Sequence, residues 1–148
     1  MNRRDFLATS GALLVSFSLP AFAQKLPGAL ERSPQLDAWL RIAADGRITV
    51  FTGKAELGQG VKTAILQIAA EQLAVDMKAI ELITADTALT PNEGYTAGSN
   101  SMKDSGTAIL HASAQARELL VAEAAKRLGA PPETLSVQNG EVDRKSVV

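Results

Sequence analysis

Cysteine is absent from this 148-residue chain, so disulfides, thiolate nucleophiles, cysteine-held zinc and iron–sulfur clusters are all excluded within it. Histidine occurs once, at His111, which rules out a multi-histidine metal site unless another chain contributes. Neither sign of charge dominates: 15 Lys and Arg stand against 16 Asp and Glu, a formal net charge of −1. With no basic stripe, nucleic acid is not expected as a partner, because phosphate contacts need clustered Lys and Arg. No internal repeat is evident. What is present, 46% hydrophobic residues, suffices for one modest domain with a core and not for two.

The first residues, MNRRDFLATSGALLVSFSLPAFAQ, read as an export signal. Arg3 and Arg4 give a positive start, Leu7 to Leu19 a largely apolar middle, and Ala21-Phe22-Ala23 a small-x-small cleavage pattern, so a signal peptide over 1–23 is expected, cut before Gln24. The apolar middle is shorter than the roughly 20 residues of a bilayer-spanning helix; an uncleaved membrane anchor is the alternative. The arginine pair followed by Asp5, Phe6 and Leu7 resembles a twin-arginine signal, with Asn2 where Ser or Thr is commoner. That route carries proteins already folded, typically around a cofactor inserted in the cytoplasm. It implies a periplasmic destination and a large cofactor.

Residues 24–37, with Pro27, Gly28 and Pro34, read as a linker. AWLRIAADGRITVFTG then gives two β-type runs around Asp45-Gly46, a pair that suits a type I′ hairpin turn with positive φ at both central residues. Apolar residues at 61, 64, 65, 68, 69, 73 and 75 predict a helix, and Ile80 to Asp86 alternates as a half-buried strand. After a polar loop, Asp104 or Ser105 is expected to N-cap a long alanine-rich helix through Leu128, stopped by Gly129 and Pro131-Pro132. His111 falls inside that helix as a packing or surface residue. Asn139-Gly140 signals a second hairpin. The order ββαβαββ predicts an α+β domain. The last six residues, DRKSVV over 143–148, are what GAT CGG AAG AGC GTC GTG would encode. That run resembles a sequencing-library adapter whose next bases are a stop codon, so the natural chain is expected to continue past Val142.

Gly53 to Glu71, GKAELGQGVKTAILQIAAE, sets glycines against a helix start, the arrangement that cradles phosphates. A nucleoside-triphosphate loop would need Lys and Ser or Thr where Gln59 and Gly60 stand. A dinucleotide fingerprint would need a third glycine where Thr63 stands, and an acidic residue about twenty positions on that is missing. Two readings remain open. In one, Gly58 and Gly60 merely turn strand into helix, with Gln59 solvated. In the other, the Gln59 amide, glycines that admit a ligand to the backbone and helix N-terminal N–H groups hold a polar anionic heterocycle with a phosphate tail. A second loop, Thr96-Ala97-Gly98-Ser99-Asn100-Ser101, offers hydroxyls and close backbone approach; ordinary solvation and capping is its alternative.

Together GKAELGQGV and TAGSNS resemble the molybdopterin-binding part of the xanthine dehydrogenase/aldehyde oxidase superfamily, nearest to large subunits of the isoquinoline 1-oxidoreductase and nicotinate dehydrogenase type. The resemblance covers 38–142, as the N-terminal part of a molybdopterin-binding domain. It implies that Leu57, Gly58, Gln59 and Gly60 contact the cofactor, and that Gly98, Ser99 and Ser101 form a second cofactor loop on its dithiolene and phosphate side. The implied cofactor is molybdenum–molybdopterin, with the cytosine dinucleotide form among its variants. The dithiolene holds the metal, so no protein ligand is implied. The implied reaction hydroxylates an N-heteroaromatic ring carbon or an aldehyde carbon with oxygen from water. Its base is a glutamate near the far C-terminus, matched by no position here. Glu56, Glu71 and Glu93 are read instead as surface or capping carboxylates, so no catalytic residue is expected in this stretch. A small [2Fe–2S] subunit and a c-type cytochrome are the implied electron partners, consistent with the missing cysteines. The competing class is an exported, non-catalytic α+β binding domain.

Overall fold

A computed structural model describes residues 25–145; the expected export signal lies outside them. The elements are β1 (Leu40–Ile42), β2 (Ile48–Thr52), α1 (Val61–Leu73), β3 (Ile80–Thr84), α2 (Thr107–Leu128), β4 (Leu135–Gln138) and β5 (Glu141–Arg144). Helix and strand are mixed in the order ββαβαββ that the apolar periodicities predict. Strands β1 and β2 pair antiparallel, Leu40 opposite Val50, and β3 lies parallel on the far side of β2, Ile48 opposite Ile80. A parallel pair cannot be joined by a tight turn, and α1 makes the crossover.

The two helices pack together and onto the sheet. Trp39, Val50, Ile65 and Ile109 are buried at the junction. Ala108, Ala112 and Ala116 of α2 are buried in the same cluster, small side chains that let α1 approach closely. The segment read as a linker adds to this core: Ala29, Leu30 and Leu36 are buried in it, and the Trp39 indole N–H donates to the Ser33 carbonyl at 2.8 Å. A smaller cluster of Ala124, Ala125 and Leu135 joins the end of α2 to the β4–β5 hairpin.

Turn chemistry follows the sequence at three places and departs from it at two. Asn139 (φ +52°) and Gly140 (φ +75°) are both left-handed, as a type I′ turn requires. Gly129 (φ +58°) ends α2, with the Ala130 N–H returning to the Ala125 carbonyl at 3.1 Å. Helix α1 starts at Val61 as the apolar spacing predicts. At Asp45-Gly46, however, only Gly46 has positive φ. The Ala43 N–H reaches over to the Arg47 carbonyl at 2.9 Å, a longer turn that spares Asp45 the left-handed conformation. Asp45 instead accepts the Arg47 N–H at 3.0 Å. The second departure is the start of α2. Neither Asp104 nor Ser105 caps it; the chain is already helical from Ser101 as a π-type turn over Ser101–Gly106. Asp104 instead faces Arg32 at 3.7 Å, and the wide turn directs Ser105 inward.

Helix α1 stops at Ala74, left-handed at φ +54° with no glycine to relieve it, its N–H and that of Val75 closing on the Glu71 and Ala70 carbonyls. The Ala74 carbonyl also accepts the Gly140 N–H at 2.9 Å, tying the second hairpin to the helix end. A β-carbon in this conformation costs about 1 kcal/mol. Ala74→Gly should therefore raise stability by about 0.5–1 kcal/mol, read from the urea midpoint at constant slope; an unchanged or lowered midpoint contradicts the assignment.

Candidate functional site

Strand β2 ends at Thr52 and delivers the chain to Gly53, where the first loop begins. Gly58 (φ +94°) and Gly60 (φ +79°) bend it into α1, and a β-carbon added at either would meet nothing within 4 Å. Space is therefore open beside both glycines. Gln59 is exposed between them. Its Oε1 accepts the Leu57 N–H at 2.5 Å and its Nε2 donates to the Ala55 carbonyl at 2.9 Å. The side chain thus braces its own loop, and the second Nε2 hydrogen is left as the donor it presents outward. Leu57 is 75% exposed.

The helix N-terminus does not await a phosphate. The Glu56 carboxylate already sits there: Oε1 accepts from the Gly58 and Gly60 N–H groups at 2.8 and 3.0 Å, and Oε2 from Lys62 N–H at 3.0 Å. Positive φ at the two glycines is what lets a side chain four residues before the cap reach these donors. The Lys62 and Gly60 N–H groups hold the Glu56 carboxyl below its ordinary value of 4.5. Glu56 is thus a capping carboxylate, and the Gly58, Gly60 and Lys62 N–H groups, which one of the two sequence readings gave to a ligand, are paired within the chain. Glu71 is exposed on α1, and His111 exposed on α2.

The second loop carries Gly98 (φ +64°) and Ser99 (φ +56°) in succession, both exposed, with Ser101 half-buried at the start of the π-type turn. Left-handed geometry in a serine is a strained choice that persists only where its surroundings impose it. Tyr95, 92% exposed, stands beside this loop.

Between the loops lies a buried polar seam. Glu93 is 3% exposed and Lys54 1%. One Glu93 oxygen accepts the Thr52 hydroxyl at 2.7 Å and the Gly53 N–H at 2.6 Å; the other accepts the Ser105 hydroxyl. Lys54 Nζ donates to the Glu93 and Tyr95 carbonyls at 2.8 and 2.9 Å. The Ala55 N–H donates to the Thr96 hydroxyl at 2.8 Å. Glu93 is therefore neither a surface nor a capping carboxylate, as its loop position suggested. It is an internal anchor whose charge is met by an N–H and two hydroxyls. Among the described residues no group of three or more His, Cys, Asp or Glu could hold a metal ion.

The site therefore offers an amide donor on one loop, hydroxyls on a second, and open backbone beside glycines, an arrangement that fits a polar heterocycle. Because Glu56 is stabilised in its charged form, its contribution is complete above its ordinary pKa of 4.5 and lost as pH falls through its lowered value. The protection factors of the Gly58, Gly60 and Lys62 amides, that is, exchange corrected for its intrinsic pH dependence, should therefore fall on acidification below that range. Glu56→Gln should remove this acid dependence while leaving neutral-pH exchange faster than in the parent; an unaltered acid profile in Glu56→Gln refutes the cap.

The family model for the molybdopterin cofactor-binding domain matches residues 11–147. A nicotinate dehydrogenase subunit of Pseudomonas putida is 34% identical over 146 residues, covering 95% of this chain and 12% of that protein. The beta subunit of isoquinoline 1-oxidoreductase from Brevundimonas diminuta is 29% identical over 154 residues, covering 96% and 20%. The crystal structure of quinoline 2-oxidoreductase from Pseudomonas putida 86 superposes with a TM-score of 0.61 at 30% identity, over 71% of this chain and 13% of that one. The chain thus spans a fifth or less of the length of these relatives. On the match across nearly all of its length, the chain belongs to the molybdopterin cofactor-binding domain family, the cofactor-binding portion of xanthine dehydrogenase/aldehyde oxidase-type large subunits.

Proposed function

We propose that this chain is the N-terminal cofactor-gripping part of a molybdenum hydroxylase large subunit. Residues 57–60 hold one side of molybdopterin and Gly98, Ser99 and Ser101 the other. The observation that carries the reading is the Gln59 amide. It is held by Leu57 and Ala55, has a second Nε2 hydrogen beyond the one given to Ala55, and stands between two glycines with open space beside them. Gln59 would donate to a polar atom of the pterin, and the Ser99 and Ser101 hydroxyls to its dithiolene and phosphate side. Glu56 excludes an anion from the α1 N-terminus, so the cofactor's phosphate is directed toward the second loop. When bound, the cofactor supplies hydroxylation of an N-heteroaromatic or aldehyde carbon with oxygen from water. This chain's residues bind and orient it.

The relatives are named as subunits, and a small [2Fe–2S] subunit with a c-type cytochrome is the electron route we propose. The base is the glutamate that the family places far downstream. Export through the twin-arginine signal to the periplasm belongs to the same reading, as does the cytosine dinucleotide form of the cofactor. Release of cytidine monophosphate on acid hydrolysis tests the latter. The reading of 143–148 as foreign is tested by sequencing the source DNA across codon 143.

Gln59→Ala in the assembled enzyme should lower bound pterin and molybdenum in parallel. Losing one desolvated hydrogen bond predicts an affinity loss of about tenfold. Metal and pterin contents equal to the parent's would count against the assignment of this loop as a cofactor contact.

A further inference from the structure

Lys54 and Glu93 have no part in the cofactor contacts just described, yet both charges are buried. Burying a charge costs heavily unless hydrogen bonds replace its water. Each of these is satisfied by groups that lie across a boundary. Lys54, on the first loop, is met by the Glu93 and Tyr95 carbonyls of the second segment. Glu93, on the second segment, is met by Thr52 and Gly53 of the first and by Ser105 of the π-type turn. The two segments also touch through backbone. A β-carbon on Gly53 would lie 2.3 Å from the Pro91 carbonyl oxygen, so only glycine permits the contact. Ala55 and Thr96 close the seam toward the loops themselves.

We infer that Lys54 and Glu93 are positioning residues, a reciprocal buried clamp that makes the two glycine loops a single rigid unit and sets the gap into which the cofactor fits. Neither loop can shift alone without stranding a buried charge whose partners belong to the other. The left-handed Ser99 and the π-type turn at Ser101–Gly106 lie on the stretch so fixed. The inference rests on the reading of both loops as cofactor contacts, but its signature, joint motion of the loops, is measurable without reference to bound cofactor.

Hydrogen exchange followed by mass spectrometry on the assembled enzyme tests it, with Glu93→Gln, Lys54→Met and the wedge Gly53→Ala beside the parent, each before and after cofactor removal. Each variant should raise exchange in segments 55–60 and 94–101 together, by about tenfold or more, and should lose pterin faster on dilution. Ile109→Val, a core substitution that removes none of the seam's hydrogen bonds, should lower the melting temperature without singling out these segments. Thr52→Val deletes one hydroxyl of the seam and carries the same test should a charge variant not accumulate. Faster exchange in the substituted loop alone, or the same joint effect from Ile109→Val, overturns the clamp. A parent enzyme that holds no pterin while its loops still respond jointly leaves the clamp standing and instead sinks the proposed function.

Discussion

Two opposite charges buried close together, Lys54 met by carbonyls of Glu93's segment and Glu93 by Thr52, Gly53 and Ser105, are the constraint on which this end of the molecule depends. Lys54 and Glu93 are joined through carbonyls, one N–H and two hydroxyls, and not through their charged ends. That distinction matters physically. A surface ion pair contributes little and tolerates movement, whereas a buried charge that loses its fixed dipoles incurs the full desolvation cost. The seam is therefore intolerant of sliding. It joins positions about forty residues apart in sequence, at the point where β2 gives way to loop.

The rest of the fold presents that seam. The parallel β2–β3 pair fixes where Thr52 ends and, through the Ala85 N–H to Thr52 carbonyl bond at 2.9 Å, where the second segment departs. Helices α1 and α2 pack through small alanines, and the turn leading into α2 packs on α1. Gly106 sits against Ile68 of α1, where a β-carbon would approach its Cδ1 to 3.3 Å. Electrostatics then divides labour between the loops. Glu56 neutralises the positive end of α1 internally; in the proposed function the first loop would then recognise by amide and shape and the second by hydroxyls. Leu57 on the first loop and Tyr95 beside the second are both exposed.

Helix and strand periods made the order ββαβαββ legible, and glycines at 58, 60, 129 and 140 marked real turns. The candidate site is legible as two glycine loops, but the seam that joins them is not. Sequence pattern assigns Lys and Glu to solvent, and nothing local to Lys54 or Glu93 reports acceptors and donors supplied from some forty residues away. Glu56 was legible as a surface or capping carboxylate, and the structure makes it the cap. Capping rules look to the residue beside the helix, and here two left-handed glycines bring the carboxylate from further back. The Asp45-Gly46 turn and the capless start of α2 show local signals yielding to context. A longer turn freed Asp45 from strain, and Ser105 served Glu93 instead of the helix end.

The most direct test is the structure of the molybdenum-loaded protein, with the metal located by its anomalous scattering. The account predicts pterin atoms within hydrogen-bond distance of Gln59 Nε2 and of the Ser99–Ser101 loop, with Glu56 still on the Gly58, Gly60 and Lys62 N–H groups and the Lys54–Glu93 seam intact. A cofactor phosphate in place of Glu56 at the α1 N-terminus, or a pterin touching only one loop, would contradict it.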